Sequence, residues 1–322
     1  MLRIGLIGAG NLGKAHAESI AHIPDVKLTA IADIDDQAIQ ALKEQWANDA
    51  AIMDANQIAD SSEIDAVIIA TPTPLHYQQA HRALSMKKHV YLEMPMTRQL
   101  KEAQDLTVQA SESNKVLTVG HSLRGYQEYA MIKQRVADGA VGKPGMIRLG
   151  RRTPHPRSWY SNIESSGGVI LDAMIHEFDF INWCFGPVER VFCRNLQEGA
   201  DYALASLKLK SGAIAHVESS WRHYGQFHLD VEVAGDKGLI QYDNQESIPM
   251  YVSLTDPEKG TRHFFTESPV IKPAHYKIME GFLNAAQGKG DNPAPPEDAL
   301  AALKIAHAAL ESVKTRQPVT LG

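Results

Sequence analysis

Cysteine is nearly absent: Cys184 and Cys193 are the only two in 322 residues. Two isolated thiols make no disulfide framework, so a reducing compartment is expected, with the cytoplasm as the default location. An excess of basic residues is missing too. The formal charge is -6 at pH 7 and the isoelectric point is near 6.2, which removes any bulk attraction to nucleic acid or to an anionic membrane surface. The 14 His are scattered without a C-x-x-C or H-E-x-x-H frame, so no metal is expected. No apolar run approaches the ~20 residues of a membrane span, and no small-residue cleavage site follows a signal-type apolar core near Met1. The 44% hydrophobic content is ample for sizeable cores, and the length is comfortable for two domains.

Glycine is present where it carries information. Arg3 to Ile7 reads as a buried strand and Lys14 to Ile20 as a helix, and Gly8-Ala9-Gly10-Asn11-Leu12-Gly13 lies at the turn between them. That is the context a G-x-G-x-x-G fingerprint needs. Gly8 permits the tight turn, Gly10 lets the backbone approach a pyrophosphate, and Gly13 lets helix and strand pack closely. A glycine pattern alone is equally well read as a plain turn. The second strand, Val26 to Ala32, ends on Asp33, twenty residues after Gly13, where a carboxylate can accept hydrogen bonds from a ribose. No Arg or Lys occurs from Ile34 to Gln37 to receive a 2′-phosphate, so NAD is expected in preference to NADP.

The first part of the chain alternates strand and helix. Ile39, Leu42 and Trp46 share a helical spacing, Ala51 to Met53 is a short strand, and Asp54 is a helix N-cap. Ala66 to Ala70 is continuously apolar, as a strand buried on both faces of a parallel sheet reads. A helix from His76 to Met86, a strand from His89 to Glu93, a helix capped by Thr97 and running to Ser113, and a strand from Val116 to Val119 follow. The fold class expected is α/β: a doubly wound Rossmann domain over 1–120 with ligands at the carboxyl ends of its strands. Beyond it the pattern becomes α+β over 121–322. Met146 to Arg152 is strand-like, Asp172 to Cys184 helical, and alternating segments at Val188 to Asn195, Tyr202 to Leu209, Ala213 to Trp221, Phe227 to Ala234 and Leu239 to Tyr242 predict a large, mostly antiparallel open sheet. Ala274 to Gln287 and Glu297 to Val313 read as closing helices.

Several stretches, in order, resemble the Gfo/Idh/MocA family of sugar and polyol oxidoreductases. Besides the glycine fingerprint there are Thr71-Pro72 with His76, His89-Val90-Tyr91-Leu92-Glu93-Met94-Pro95, and Val119 to Arg124. Ser166 to His176 is similar to the family's G-G-x-x-x-D-x-x-x-H signature, and Glu311-Ser312 to Pro318-Val319 resembles its tail. The resemblance implies hydride transfer between NAD and a secondary alcohol or ketone of a sugar or polyol. It also implies pairing into a homodimer or homotetramer through the second sheet. In one place the chain departs from the pattern: the family's E-K-P lysine, which reaches the nicotinamide ribose and the reacting hydroxyl, is Met94 here. A thioether neither carries charge nor donates a hydrogen bond.

Asp172 and His176 stand four apart on a predicted helix, so their side chains share a face. Taken alone, the pair reads as an N-cap and a surface imidazole. With the family signature, His176 is the general base and Asp172 the group that orients it. Asp179 is read as structural. Thr71, Pro72, His76 and Glu93 are expected beside the cofactor, with His76 equally able to cap its helix. The family places Arg124, His155, Trp159 and Tyr160 around the substrate, although Trp159 could simply pack and His155 could be an exposed loop residue. Lys272, His223 and Tyr126 are possible substitutes for the lysine. Two alternatives to a simple dehydrogenase remain. One is a glycosidase or epimerase that retains NAD and oxidises only transiently; the other is a sugar- or nucleotide-binding relative whose turnover is lost or impaired, whether Met94 is natural or introduced.

Overall fold

The computed structural model describes all residues except 157, 197–201, 247–249, 256–261 and 268–272. The first strand β1 (Leu2–Ile7) leads to α1 (Asn11–Ala21), β2 (Val26–Ala32), α2 (Asp36–Trp46), β3 (Ala51–Ile52), α3 (Ala55–Asp60), β4 (Ala66–Ile69), α4 (His76–Ser85), β5 (His89–Leu92), α5 (Leu100–Ser113) and β6 (Leu117–Val119). The six strands form one parallel sheet in the order β3-β2-β1-β4-β5-β6. Strand order reverses between β1 and β4, and ligands of such sheets bind at that switch point, beyond the carboxyl ends.

Local chemistry explains these elements. All four residues of β4 are 0% exposed, because helices cover both faces of the sheet. Asp54 caps α3 in a reciprocal capping box with Gln57, as expected, and Asp35 caps α2. Thr97 does not cap α5: its hydroxyl donates to the Gln99 carbonyl, and the helix starts at Leu100.

From β6 the chain enters α6 (Gln127–Ala137), β7 (Pro144–Arg152) and the short α7 (Ile163–Ser166) and α8 (Gly168–Asp172), then α9 (Ile175–Phe185). The strands β8 (Val188–Leu196), β9 (Tyr202–Leu209), β10 (Ile214–Ser220), β11 (His228–Gly235) and β12 (Leu239–Asp243) follow. With β15 (Val319–Thr320) they make a seven-stranded sheet, β12-β11-β7-β10-β9-β8-β15, antiparallel except where β7 meets β10. A separate hairpin pairs β13 (Met250–Thr255) with β14 (Arg262–Glu267). Alternation sets the faces: Ala203, Ala205, Leu207 and Leu209 point inward on β9, and Tyr202, Leu204 and Lys208 outward.

Two helices close the chain, α10 (Ala274–Ala286) and α11 (Pro296–Thr315). The first returns to the parallel sheet. Its Ile278, Met279, Phe282 and Leu283 share a buried cluster with Ile4, Leu6, Ile20 and Tyr91. Asn292 reinforces the return, accepting from the Thr118 hydroxyl and donating to the Leu117 carbonyl. α11 packs on α9, α5 and β8, so its alanine-rich face joins both sheets. Among the described residues no helix is long and apolar enough to cross a membrane.

Candidate active site

The nucleotide side begins at the first turn. Gly8 has φ +104°, and a Cβ there would lie 2.5 Å from the Ala70 carbonyl oxygen; a Cβ on Gly13 would overlap the Gly8 carbonyl. Both positions therefore require glycine. Gly10 differs, because nothing lies within 4 Å of where its Cβ would be. No side chain caps α1 after it, so the amides around Asn11 and Leu12 face open space, and Leu12 is exposed. Open backbone donors at a helix N-terminus fit a pyrophosphate. At the end of β2 the Asp33 carboxylate accepts from the Ala9 amide at 2.5 Å and the Asp35 amide at 2.9 Å, which fixes it beside this turn. The residues fit NAD. Ile34, the next residue, is fully exposed at the same rim.

The adjoining wall is built by β4 and β5. Thr71 donates its hydroxyl to Gln79, and Pro72 begins a short 3-10 turn. His76 neither lines the cleft nor caps a helix with its ring. It is buried, with Nδ1 2.9 Å from the Pro95 carbonyl and Nε2 2.8 Å from the Thr71 carbonyl. Burial holds the ring below its ordinary pKa, and a neutral ring donates to only one of the two. His76 thus fastens the Thr71 turn to the Met94-Pro95 turn. Glu93 is 7% exposed, bonds the buried His16 at 2.7 Å and accepts from the Met94 amide.

Glu93 and Met94 open onto a cleft of about 640 Å³ that is also lined by Leu12, Tyr160, Asp172 and His176. Asp172 ends α8 and His176 lies in the first turn of α9, so the single helix expected over them is two, joined at Ala173 and Met174. Both side chains reach the cleft, but no hydrogen bond joins them among those of the described residues. Asp172 does not orient the His176 ring in this arrangement. Burial raises the Asp172 carboxyl to about 7, against the pull of Arg151. Burial, then Arg151, then His121 hold His176 well below its usual value, and its Nδ1 is sealed without a partner among the described residues. The site therefore presents a neutral imidazole and a carboxyl that exchanges its proton near neutrality. These are the two forms acid–base chemistry uses.

Tyr160 lines the cleft, pushed up to about 12 by burial and by the Asp172 and Glu93 carboxylates, so its hydroxyl remains a donor. Trp159 stacks on it at 4.0 Å between ring centroids. His155 is exposed and away from the lining. Arg124, expected at the substrate, is buried with its donors taken by Asp179, Asp298 and the Pro293 carbonyl. Of the possible lysine substitutes Tyr126 lines the cleft, His223 tilts against His228 outside it, and Lys272 lies outside the described residues.

Comparison with known proteins decides the family. Residues 2–121 match the model of the Gfo/Idh/MocA oxidoreductase family with its NAD-binding Rossmann fold, and residues 129–241 match that family's C-terminal domain. The chain belongs to the Gfo/Idh/MocA family. It is an NAD-dependent oxidoreductase. It is 28% identical to the myo-inositol 2-dehydrogenase of Thermotoga maritima, covering 99% of this chain and 98% of that one. Against the inositol 2-dehydrogenase of Rhizobium meliloti it is 28% identical, with 99% of each covered. A crystal structure of a myo-inositol dehydrogenase from Corynebacterium glutamicum superposes with a TM-score of 0.84 at 26% identity, covering 100% of this chain and 99% of that one.

The sequence pattern does not single out His16, Ile34 or His121. Ile34 carried a signal, an apolar residue after a strand-terminal Asp with no helical face to join. His16 shares the buried face of α1 with Ala17 and Ile20, where it reads as packing.

Proposed function

We propose that the chain oxidises a secondary alcohol of an inositol-like polyol or related sugar, or reduces the corresponding ketone, with His176 taking or returning the hydroxyl proton. The observation that carries this is the meeting of His176, Asp172 and Tyr160 with Met94 on one cleft beside the glycine turn. NAD, when bound, supplies the hydride acceptor. The names of the relatives supply the substrate class.

The protein's own residues then divide the remaining work. His176, kept neutral by burial, is ready to accept a proton. With Met94 in place of a lysine, the donors left for a developing alkoxide are the Tyr160 hydroxyl and the protonated fraction of Asp172. Glu93, Thr71 and Pro72 hold the wall beside the cofactor. Filling of the cleft by cofactor and substrate would strengthen each of these contacts by excluding water.

Met94 also favours a second reading, a relative with impaired turnover. Incubating the protein with NAD and a panel of inositols, other polyols and sugars, and following NADH release in the steady state, tests both. Sustained NADH with an inositol supports the dehydrogenase. NAD binding with no NADH from any alcohol supports the relic, and product without released NADH points to retained cofactor.

The outer face of the seven-stranded sheet exposes Phe192, Leu196, Tyr202, Leu204 and Ile214 beside ion pairs such as Lys208 with Glu189. Such a face fits a second copy of this chain. A dimer or tetramer by light scattering is the expected result, and a monomer at micromolar concentration would refute it.

A further inference from the structure

Beside His176 lies a second buried imidazole with no part in the chemistry proposed for the cleft. His121 follows β6, is 1% exposed, and has no hydrogen-bond partner at either ring nitrogen among the described residues. Its ring meets that of His176 edge to face, with centroids 6.5 Å apart at 90°. Its Nδ1 lies 3.9 Å from the Asp179 carboxylate. His176 Nδ1 is sealed in the same way. Three buried imidazole nitrogens without partners, in adjoining rings, carry an uncompensated desolvation cost. Such groups in native proteins call for a specific explanation, such as a catalytic role or a bridging water.

We propose that His121 is the proton partner of His176: the two rings share one proton beneath the cleft, directly or through one water, and Asp179 faces the charge when it rests on His121. The inference rests on the proposed role of His176 as base. In the oxidation the alcohol O–H bond breaks and an N–H bond forms on His176. The proton on the opposite nitrogen of that ring passes to His121, while the C–H electron pair leaves as hydride for NAD. His176 is left neutral, and no further oxidant is needed.

The charges around the two rings favour this direction. His176 faces the Arg151 guanidinium and His121 itself, both of which oppose a positive charge. His121 faces Asp179 from α9, Asp298 from α11 and Glu93 just after β5, with Arg124 of its own turn opposing. Arg124 is bonded to Asp179 and Asp298, at 2.7 and 2.9 Å, as Arg151 is to the buried Glu177 at 2.9 Å, so each ring faces one compensated cation while His121 has the additional carboxylate of Glu93. Burial disfavours the cation on either ring. The carboxylates make His121 the better resting place.

Histidine ¹⁵N titration of the NAD-free chain reads the coupling without turnover. In His121→Gln and in the ring-retaining His121→Phe, the His176 curve is expected to move to higher pH by at least about half a unit, because a like-charged neighbour is gone. In kinetics, kcat for alcohol oxidation should fall about tenfold and its acid limb should shift upward in the same variants. KM and NAD affinity should stay within about twofold. Free imidazole should restore part of kcat to His121→Gly. A His176 titration identical in parent and both variants would overturn the proposal. If no polyol is oxidised by the parent, the proposed function fails, and the titration still decides the coupling of the two rings.

Discussion

Arg124 presents two nitrogens of its guanidinium to Asp179, Nε to Oδ2 at 2.8 Å and a terminal nitrogen to Oδ1 at 2.7 Å, with both side chains buried. The third nitrogen reaches Asp298 at 2.9 Å and the Pro293 carbonyl at 3.1 Å. One residue therefore ties the exit of the parallel sheet to α9 and to the start of α11. The removal of either partner leaves a buried charge, at a cost of about 3–5 kcal/mol. Arg124→Ala should lower the melting temperature sharply, and Arg124→Met with Asp179→Leu should recover most of the loss. Unchanged melting with weakened substrate binding would return Arg124 to the cleft.

Asp33 is expected to set the nucleotide preference. Its carboxylate is held beside Gly8 to Gly13 by the Ala9 and Asp35 amides. Asp33→Ala should weaken NAD by roughly 1–3 kcal/mol, because a charge-assisted hydrogen bond is lost. Fluorescence titration of the parent should show NAD bound more tightly than NADP. Equal affinities would contradict the assignment.

Asp172 makes the fold pH-dependent. Its carboxyl is raised by burial from 3.8 to about 7. As pH rises through that window the unfolded chain ionises first, so stability is intact below the lower value, falls across the interval and stays low above the upper one. The loss approaches about 4 kcal/mol if the whole shift is realised. Asp172→Asn should therefore melt higher than the parent at pH 8 and equally at pH 3, while its turnover falls. A melting curve unaffected at pH 8 would place the carboxylate in contact with solvent or a cation.

Met94 is expected to limit the rate. The absence of one oxyanion donor costs roughly 2.7–4 kcal/mol in other enzymes. Met94→Lys restores a cationic donor of similar length at the cleft wall. NAD reduction on the polyol panel should rise at least about tenfold, some ~1.4 kcal/mol of barrier. A variant no faster than the parent would show that Tyr160 and Asp172 already suffice.

The elements that repeat a local rule were legible before the structure. The glycine turn, the continuous apolar run of β4 and the alternation of β9 each encode their surroundings within a few residues, and each formed where expected. Asp172 and His176 were found as a motif, but the break at Ala173 was not, because nothing in Ala173-Met174 interrupts a helical pattern. The hairpin of β13 and β14 was hidden by Pro249, Pro257 and the polar residues around them. The family resemblance alone places Arg124 at the substrate, and its partner Asp179, fifty-five residues on, is not legible beside it in the sequence. His121 and His16 share that difficulty: a buried imidazole acquires its role from neighbours that only folding assembles.

The most direct test of hydride transfer with His176 as the base uses an inositol carrying deuterium on its ring carbons. The deuterium should be transferred as deuteride to the nicotinamide of the released cofactor with the parent chain and with Met94→Lys, and that transfer should be lost with His176→Ala although NAD still binds. Undiminished transfer in His176→Ala, or no transfer by either active form on any polyol, would contradict the account.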